Sequence, residues 1–147
     1  MKALTIWQPW ASLVAWGEKR YETRSWTTAY RGPLAIHASV RPVEVGNLGV
    51  NRFYDQAFAR HGLHGLRDWD SLPRGAVLCQ VDLVDVVRVE DLRGKISTDE
   101  ESFGDYSDGR FAWKFENIKL LPQPIPAIGK QGLWEWRVET DVWERTR

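Results

Sequence analysis

Hydrophobic and polar residues alternate most cleanly over residues 75–89, where Val77, Cys79, Val81 and Leu83 stand against Leu78, Gln80 and Asp82. A period of two sends successive side chains to opposite faces of an extended chain, so this run predicts a strand with one face in a core. Near Asp85 the alternation breaks, which predicts a bulge or bend. The same period recurs over residues 111–118, and over residues 133–138, where Trp134, Trp136 and Val138 oppose Glu135 and Arg137. Residues 20–26 also read as a strand, with Tyr21, Thr23 and Ser25 on one face and Glu22, Arg24 and Trp26 on the other. After the turn Arg31-Gly32-Pro33, residues 33–39 form a short, nearly all-apolar strand of the kind found inside a barrel or sheet core.

Two stretches carry helical spacing instead. Pro9 suits a first helical turn, Trp10, Leu13, Val14 and Trp16 supply an apolar stripe, and Gly17 is placed to end the helix in a left-handed conformation. A longer helix, in one or two pieces, is expected from Pro42 to about Arg60 on the spacing of Val43, Val50, Phe53, Tyr54, Ala57 and Phe58, despite Gly46 and Gly49. Residues 61–74 read as a polar connection and residues 91–108 as an acidic, turn-rich segment. The proline-rich residues 121–126 read as an extended sheet edge or strap. Short strands with one early helix and one middle helix predict an α+β protein built on a small β-barrel. A doubly wound sheet needs more alternating helices than these.

Length and charge narrow the partners. The 147 residues suit one domain over 1–147, without repeats or low-complexity linkers. Twenty Lys and Arg balance twenty Asp and Glu, so any polyanion must be held by a local patch, which favours a small ligand or short segment over an extended duplex. A single cysteine, Cys79, excludes an internal disulfide or a Cys-based zinc set and fits a reducing, cytoplasmic location; it reads as a packing residue. No segment has the apolar length of a signal peptide or a membrane span, and no cofactor or metal is expected. Most of the nine tryptophans are expected to pack, since an indole buries a large area at the cost of one N–H partner.

The chemistry concentrates in residues 6–26, IWQPWASLVAWGEKRYETRSW. Lys19 follows the helix, and its long stem reaches over the strand face that carries Glu22 and Arg24. Two cations around one anion suit a phosphate, or a carbonyl whose oxygen becomes negative. The structural alternative is a set of ion pairs at a barrel rim, each worth at most about 1 kcal/mol. As a catalytic pair, Lys19 acts as base or nucleophile while Glu22 polarises it or activates a water. As a binding set, Lys19 and Arg24 hold phosphate while Trp10, Trp26 or Tyr106 stacks a base. Trp134 and Trp136, in a strongly alternating strand, are core candidates. His37 and Ser39 end an apolar strand, where His37 is an acid or base reaching a cleft, or a histidine hydrogen-bonded at a barrel end. The loop Gly129-Lys130-Gln131-Gly132 either meets a phosphate or is an ordinary turn, and it lacks the pattern of a triphosphate-binding loop. His61-x-x-His64 has metal-ligand spacing, but in a Gly-rich loop without cysteines it reads as a pair of solvated histidines.

Two motifs then carry a resemblance: Ile6-Trp7-Gln8-Pro9-Trp10-Ala11 followed by Gly17-x-Lys19-x-x-Glu22-x-Arg24-x-Trp26, and Phe103-Gly104-Asp105-Tyr106-x-x-Gly109-Arg110-x-Ala112-Trp113 followed by Pro122-x-Pro124-Ile125-Pro126-x-x-Gly129-x-Gln131-Gly132-Leu133-Trp134. Together they resemble the ASCH domain, a branch of the PUA-like barrels, from about residue 3 to residue 138. The resemblance implies one PUA-like barrel with a short N-terminal helix and a longer mid-chain helix. It also implies a cleft, floored by the Lys19-Glu22-Arg24 segment, for single-stranded RNA or a nucleoside- or nucleotide-like ligand, with Arg110 and Gln131 among its motif positions. One group of bacterial relatives deacetylates N4-acetylcytidine with the motif lysine and a threonine three residues later. Here Lys19 matches, Glu22 stands at the threonine position, and Thr23 is expected on the opposite strand face. Three functions therefore stand beside each other: an RNA- or modified-nucleoside-binding domain, a hydrolase, and a tryptophan-rich protein adaptor. The hydrolase is either an amidohydrolase of an acylated nucleobase with Lys19 and Glu22 or a metal-independent ribonuclease.

Overall fold

The computed structural model describes residues 1–43 and 51–137, the side chains of residues 66 and 67 excepted. Six strands form one mixed sheet: β1 (Lys2–Ile6), β2 (Tyr21–Arg24), β3 (Gly32–Ala38), β4 (Ala76–Arg88), β5 (Phe111–Pro126) and β6 (Leu133–Glu135). Their order is β2-β5-β4-β3-β1-β6. Only β1 and β3 run parallel, and the other neighbours are antiparallel. The sheet curls far enough that Arg24, at the end of β2, donates from Nη1 to the carbonyl of Thr5 on β1 at 3.4 Å. The result is the small α+β half-barrel that the alternating segments predict.

The helices are α1 (Trp10–Ala15), α2 (Arg52–Arg60), α3 (Leu66–Asp70) and α4 (Thr98–Ser102). Gly17 has φ +77° and ends α1 as expected. The start of α1 is held by Gln8, whose Oε1 accepts the Ser12 amide at 2.9 Å while Nε2 donates to Ser12 Oγ and Pro73 O at 2.8 and 2.7 Å. The second helix begins later than its apolar spacing suggests. Asn51 caps it by accepting the Phe53 amide, Pro42 and Val43 lie outside it, and the expected residues 44–50 fall outside the described residues. The polar connection over 61–74 also needs correcting. Within it α3 buries Trp69, which packs with Leu72, Tyr54, Phe58 and Leu13 in a cluster between α1 and α2. The acidic segment contains α4, whose N-cap Ser97 accepts the Glu100 amide.

The main core lies inside the curled sheet, where Leu4, Ile6, Leu34, Ile36, Cys79, Val81, Leu83, Trp113 and Phe115 meet Ala11 and Val14 of α1. The bulge expected near Asp85 is present as a register shift between Leu83 and Asp85. A larger irregularity between Val77 and Cys79 sets residues 121–124 of β5 opposite Leu78, and it sends Val77 to a separate cluster with Leu121, Trp134 and Trp136. Pro122 and Pro124 sit in this excess, where a missing N–H costs no ladder bond. Trp134 and Trp136 are core residues, but β6 ends at Glu135, short of the expected residue 138, so Trp136 packs from beyond the strand, where its amide donates to Met1 O; Val138 lies outside the described residues. No described helix is long and apolar enough to cross a membrane.

Candidate functional site

The turn after α1 carries Lys19 and is tied at two points. Arg60 donates from Nε and Nη2 to the Glu18 carboxylate, both at 2.9 Å, and Glu100 Oε1 accepts the Arg20 amide at 2.6 Å. Glu100 is buried, and loss of water pushes its pKa up against the opposing field of Lys19. Lys19 itself is fully buried, 0 % exposed, and its Nζ has no hydrogen-bond partner within the protein. The same holds for Glu100 Oε2 and for the Tyr106 hydroxyl, whose pKa burial also raises. Three buried polar atoms without a hydrogen bond, on side chains close enough to act on one another electrostatically, mark a strongly polar pocket of the interior.

Glu22 links the cations. Its Oε1 lies 3.7 Å from Lys19 Nζ and its Oε2 accepts from Arg24 Nη1 at 3.3 Å, so the trio expected from residues 19–24 does assemble. Arg24 also faces the Trp26 ring, 5.5 Å from its centroid. Thr23 departs from the alternation. It lines the same cleft as Glu22, and its Oγ1 accepts the Asp105 amide at 3.1 Å. A Cβ built on Gly104 would stand 3.2 Å from Thr23 Oγ1 and 3.5 Å from Lys19 Nζ, so both groups lie close against that glycine. The physical reason is that β2 is a four-residue strand paired only with β5, and the cleft opens at its free edge, within reach of both sides.

The opposite wall is the loop from Ala127 to Gly132. His37 fixes it: its Nε2 donates to Ala127 O at 2.7 Å, and its Nδ1 accepts from the Thr5 hydroxyl at 3.1 Å. Thr5 Oγ1 in turn accepts the Trp134 indole N–H at 3.1 Å. A neutral ring with the proton on Nε2 satisfies this chain of bonds, and burial holds the His37 pKa below the ordinary histidine value. Gly129 lies flat on the pair, and a Cβ there would come within 2.6 Å of His37 Cε1 and 2.7 Å of Thr5 Oγ1. Both imidazole nitrogens are thus spent on protein partners, which makes His37 a support for the wall.

Between these walls lies a cleft of about 960 Å³. Trp10, Glu22, Arg24, Trp26, His37, Ser39, Arg110, Lys130 and Gln131 all line it, so most of the residues singled out along the chain converge. Lys19 and Tyr106 do not line it; they lie behind the floor formed by Glu22, Thr23 and Gly104. Arg110 is braced by Thr23 O at 3.0 Å and Asp105 O at 3.1 Å, and Trp10 donates its indole N–H to the Tyr54 hydroxyl at 2.9 Å. Lys130 and Gln131 stand exposed on the loop. His61 stacks on Trp16, 4.4 Å between centroids, and bonds Glu18; no group of three metal-ligating side chains occurs among the described residues.

Sequence reasoning assigns no role to Thr5, Trp7, Glu100 or Gly104, and it names Gly129 only as part of its loop and not as a seat on the His37–Thr5 pair. For Glu100 a signal existed, since Ser97-x-x-Glu100 has the form of a capping box at a helix start. For the others the signal is tertiary.

The ASCH domain family model matches residues 4–123. Activating signal cointegrator 1 of Homo sapiens is 31% identical over 142 residues, covering 90% of this chain and 22% of its own length, and its Mus musculus counterpart matches to the same extent. The chain thus spans about a fifth of these relatives. The crystal structure of ASCH from Zymomonas mobilis superposes with a TM-score of 0.54 at 14% identity, covering 98% of this chain and 91% of that one. A point-mutant form of it gives 0.56 at 16% identity, with 98% and 94% coverage. At such identities the likeness is one of fold.

Proposed function

The chain belongs to the ASCH domain family, and on that premise we propose that its cleft binds single-stranded RNA or a nucleotide-like ligand. The observation that carries this reading is the convergence of Arg24, Arg110 and Lys130 with Trp10 and Trp26 on one concavity. Cations meet phosphates and indole faces stack bases, the combination by which single strands are held with little dependence on sequence. Glu22 and Asp105 offset part of the charge, so the field is local and modest. Lys19 acts from behind: its charge, with that of Arg24, keeps the Glu22 carboxylate in place on the floor.

The test is fluorescence anisotropy of a labelled single-stranded RNA across a salt series. With up to three phosphate contacts at about 0.7 per contact, the plot of log K against log salt is expected to have a slope near −2 for the wild type, less steep by about 0.7 in Arg24→Ala. Absence of binding at about 50 mM salt, or a slope indifferent to these side chains, overturns the proposal.

A hydrolase is the second reading, and one observation favours it. Lys19 Nζ is buried without a hydrogen-bond partner, with the Thr23 hydroxyl also close against Gly104 and the Glu22 carboxylate 3.7 Å away. An amine so placed is a candidate nucleophile or base for an acylated nucleobase, provided the substrate reaches past Gly104. Chromatography of N4-acetylcytidine incubated with wild type, Lys19→Ala and Glu22→Ala decides it: turnover lost in the mutants supports the hydrolase, and no turnover by the wild type removes it.

A further inference from the structure

Trp7 follows β1 and belongs to none of the hydrophobic clusters. It is 49% exposed, the most exposed of the described tryptophans, and it lines the cleft. An indole that packs no core and stays in water is an unspent stacking surface. The Arg41 guanidinium lies over the ring, 3.8 Å from its centroid, so one face of the indole already carries a cation and the opposite face is the one offered for stacking.

The position of Trp7 is as telling as its exposure. The hydrogen bond from Arg24 to Thr5 O joins the edge strand β2 to β1, which lies next to the opposite edge of the curled sheet, and Trp26 and Trp7 each lie two residues beyond one partner of that bond. The cleft is therefore flanked by two tryptophans, each with its own arginine, Arg24 at 5.5 Å from Trp26 and Arg41 at 3.8 Å from Trp7. A base platform with an adjacent cation, repeated, matches the repeating unit of a nucleic-acid strand. A free nucleoside occupies one such platform and leaves the other wet. The volume of about 960 Å³ lies near the top of the range of roughly 300–1,000 Å³ typical of small-molecule sites.

We propose that Trp7, backed by Arg41, is a second base-stacking platform, so that the ligand is a single-stranded segment of two or more nucleotides and not a free nucleoside. This rests on the single-strand reading of the cleft. The experiment is isothermal titration of the whole chain with a mononucleotide and with homopolymeric single strands of increasing length, for wild type, Trp7→Ala and Trp7→Phe. Wild-type affinity is expected to rise between the mononucleotide and the short oligomers. In Trp7→Ala the ratio of oligomer to mononucleotide affinity is expected to fall roughly 5- to 140-fold, the range that loss of one stacked base implies, while Trp7→Phe keeps most of it. Oligomers that bind wild type no better than the mononucleotide, or a length dependence untouched in Trp7→Ala, overturn the second platform and leave the cleft reading standing. Failure of every nucleotide and oligomer to bind the wild type overturns both.

Discussion

Gly129→Ala tests the construction of the cleft wall, because two physical effects give opposite signs. The glycine φ lies outside the left-handed region, so an alanine suits its backbone, and the stiffer unfolded chain alone would stabilise the protein by about 0.4–1 kcal/mol. The added methyl, however, would stand 2.6 Å from His37 Cε1, 2.7 Å from His37 Nδ1 and 2.7 Å from Thr5 Oγ1. Neither neighbour yields easily: His37 is 1% exposed with both nitrogens bonded, and Thr5 is β-branched and held by Trp134. Overpacking of this kind costs about 1–3 kcal/mol, which leaves a net destabilisation of about 0–2.6 kcal/mol, about 1.3 kcal/mol at the midpoints of the two ranges. For a chain of this size that corresponds to a Tm lower by roughly 2–8 °C, readable by calorimetry. The loop that carries Lys130 and Gln131 is displaced by the same clash, so affinity for a single strand is expected to weaken in parallel. A Tm equal to or above that of the wild type would refute the contact between Gly129 and the His37–Thr5 pair as the element that sets the wall.

Other consequences follow from single residues. His37 is held neutral with its pKa depressed, so the unfolded chain takes up more protons below about pH 6.5; the contribution of this site is complete above that pH and is lost as pH falls through it, visible as a lower urea midpoint in acid. An NMR titration midpoint for His37 at or above about 6.5 contradicts this. Gln8→Ala removes three hydrogen bonds that seat α1 and is expected to cost about 2–4 kcal/mol by denaturant unfolding, a loss below about 1 kcal/mol being inconsistent with that role. Lys19→Met removes one partner of a buried ion pair and leaves Glu22 and the buried Glu100 facing an apolar side chain, so it is expected to destabilise by up to about 3–5 kcal/mol by denaturant unfolding while weakening single-strand binding. Unimpaired binding in that variant would detach Lys19 from the site.

Strands with one buried face were legible because alternation reports burial directly, as Cys79, Val81 and Leu83 and then Trp134 and Trp136 illustrate. Helix α3 was not: its described apolar anchor Trp69, and Leu72 just after it, sit among Asp, Arg and Ser between Gly65 and Pro73, a composition that reads as a turn. The 19–24 trio was legible from spacing, since neighbours on a short strand and its preceding turn meet whatever the rest of the chain does. Its depth was not, because burial of Lys19 depends on Glu100 and Gly104, some eighty residues away, closing over it. Trp7 was hidden for the converse reason. Position 7 sits beside the buried Ile6 in an aromatic run, and only the curled sheet shows that its ring remains in water.

The central claim is that a single strand lies in the cleft between β2 and the Ala127–Gly132 loop. Ultraviolet cross-linking of a bound single-stranded RNA, followed by peptide mapping, reads that location directly. Adducts on Trp7, Trp10 or Trp26 and on the peptide containing Lys130 are the predicted result. Adducts confined to α2 and α3, or none under conditions where the strand is bound, would contradict it.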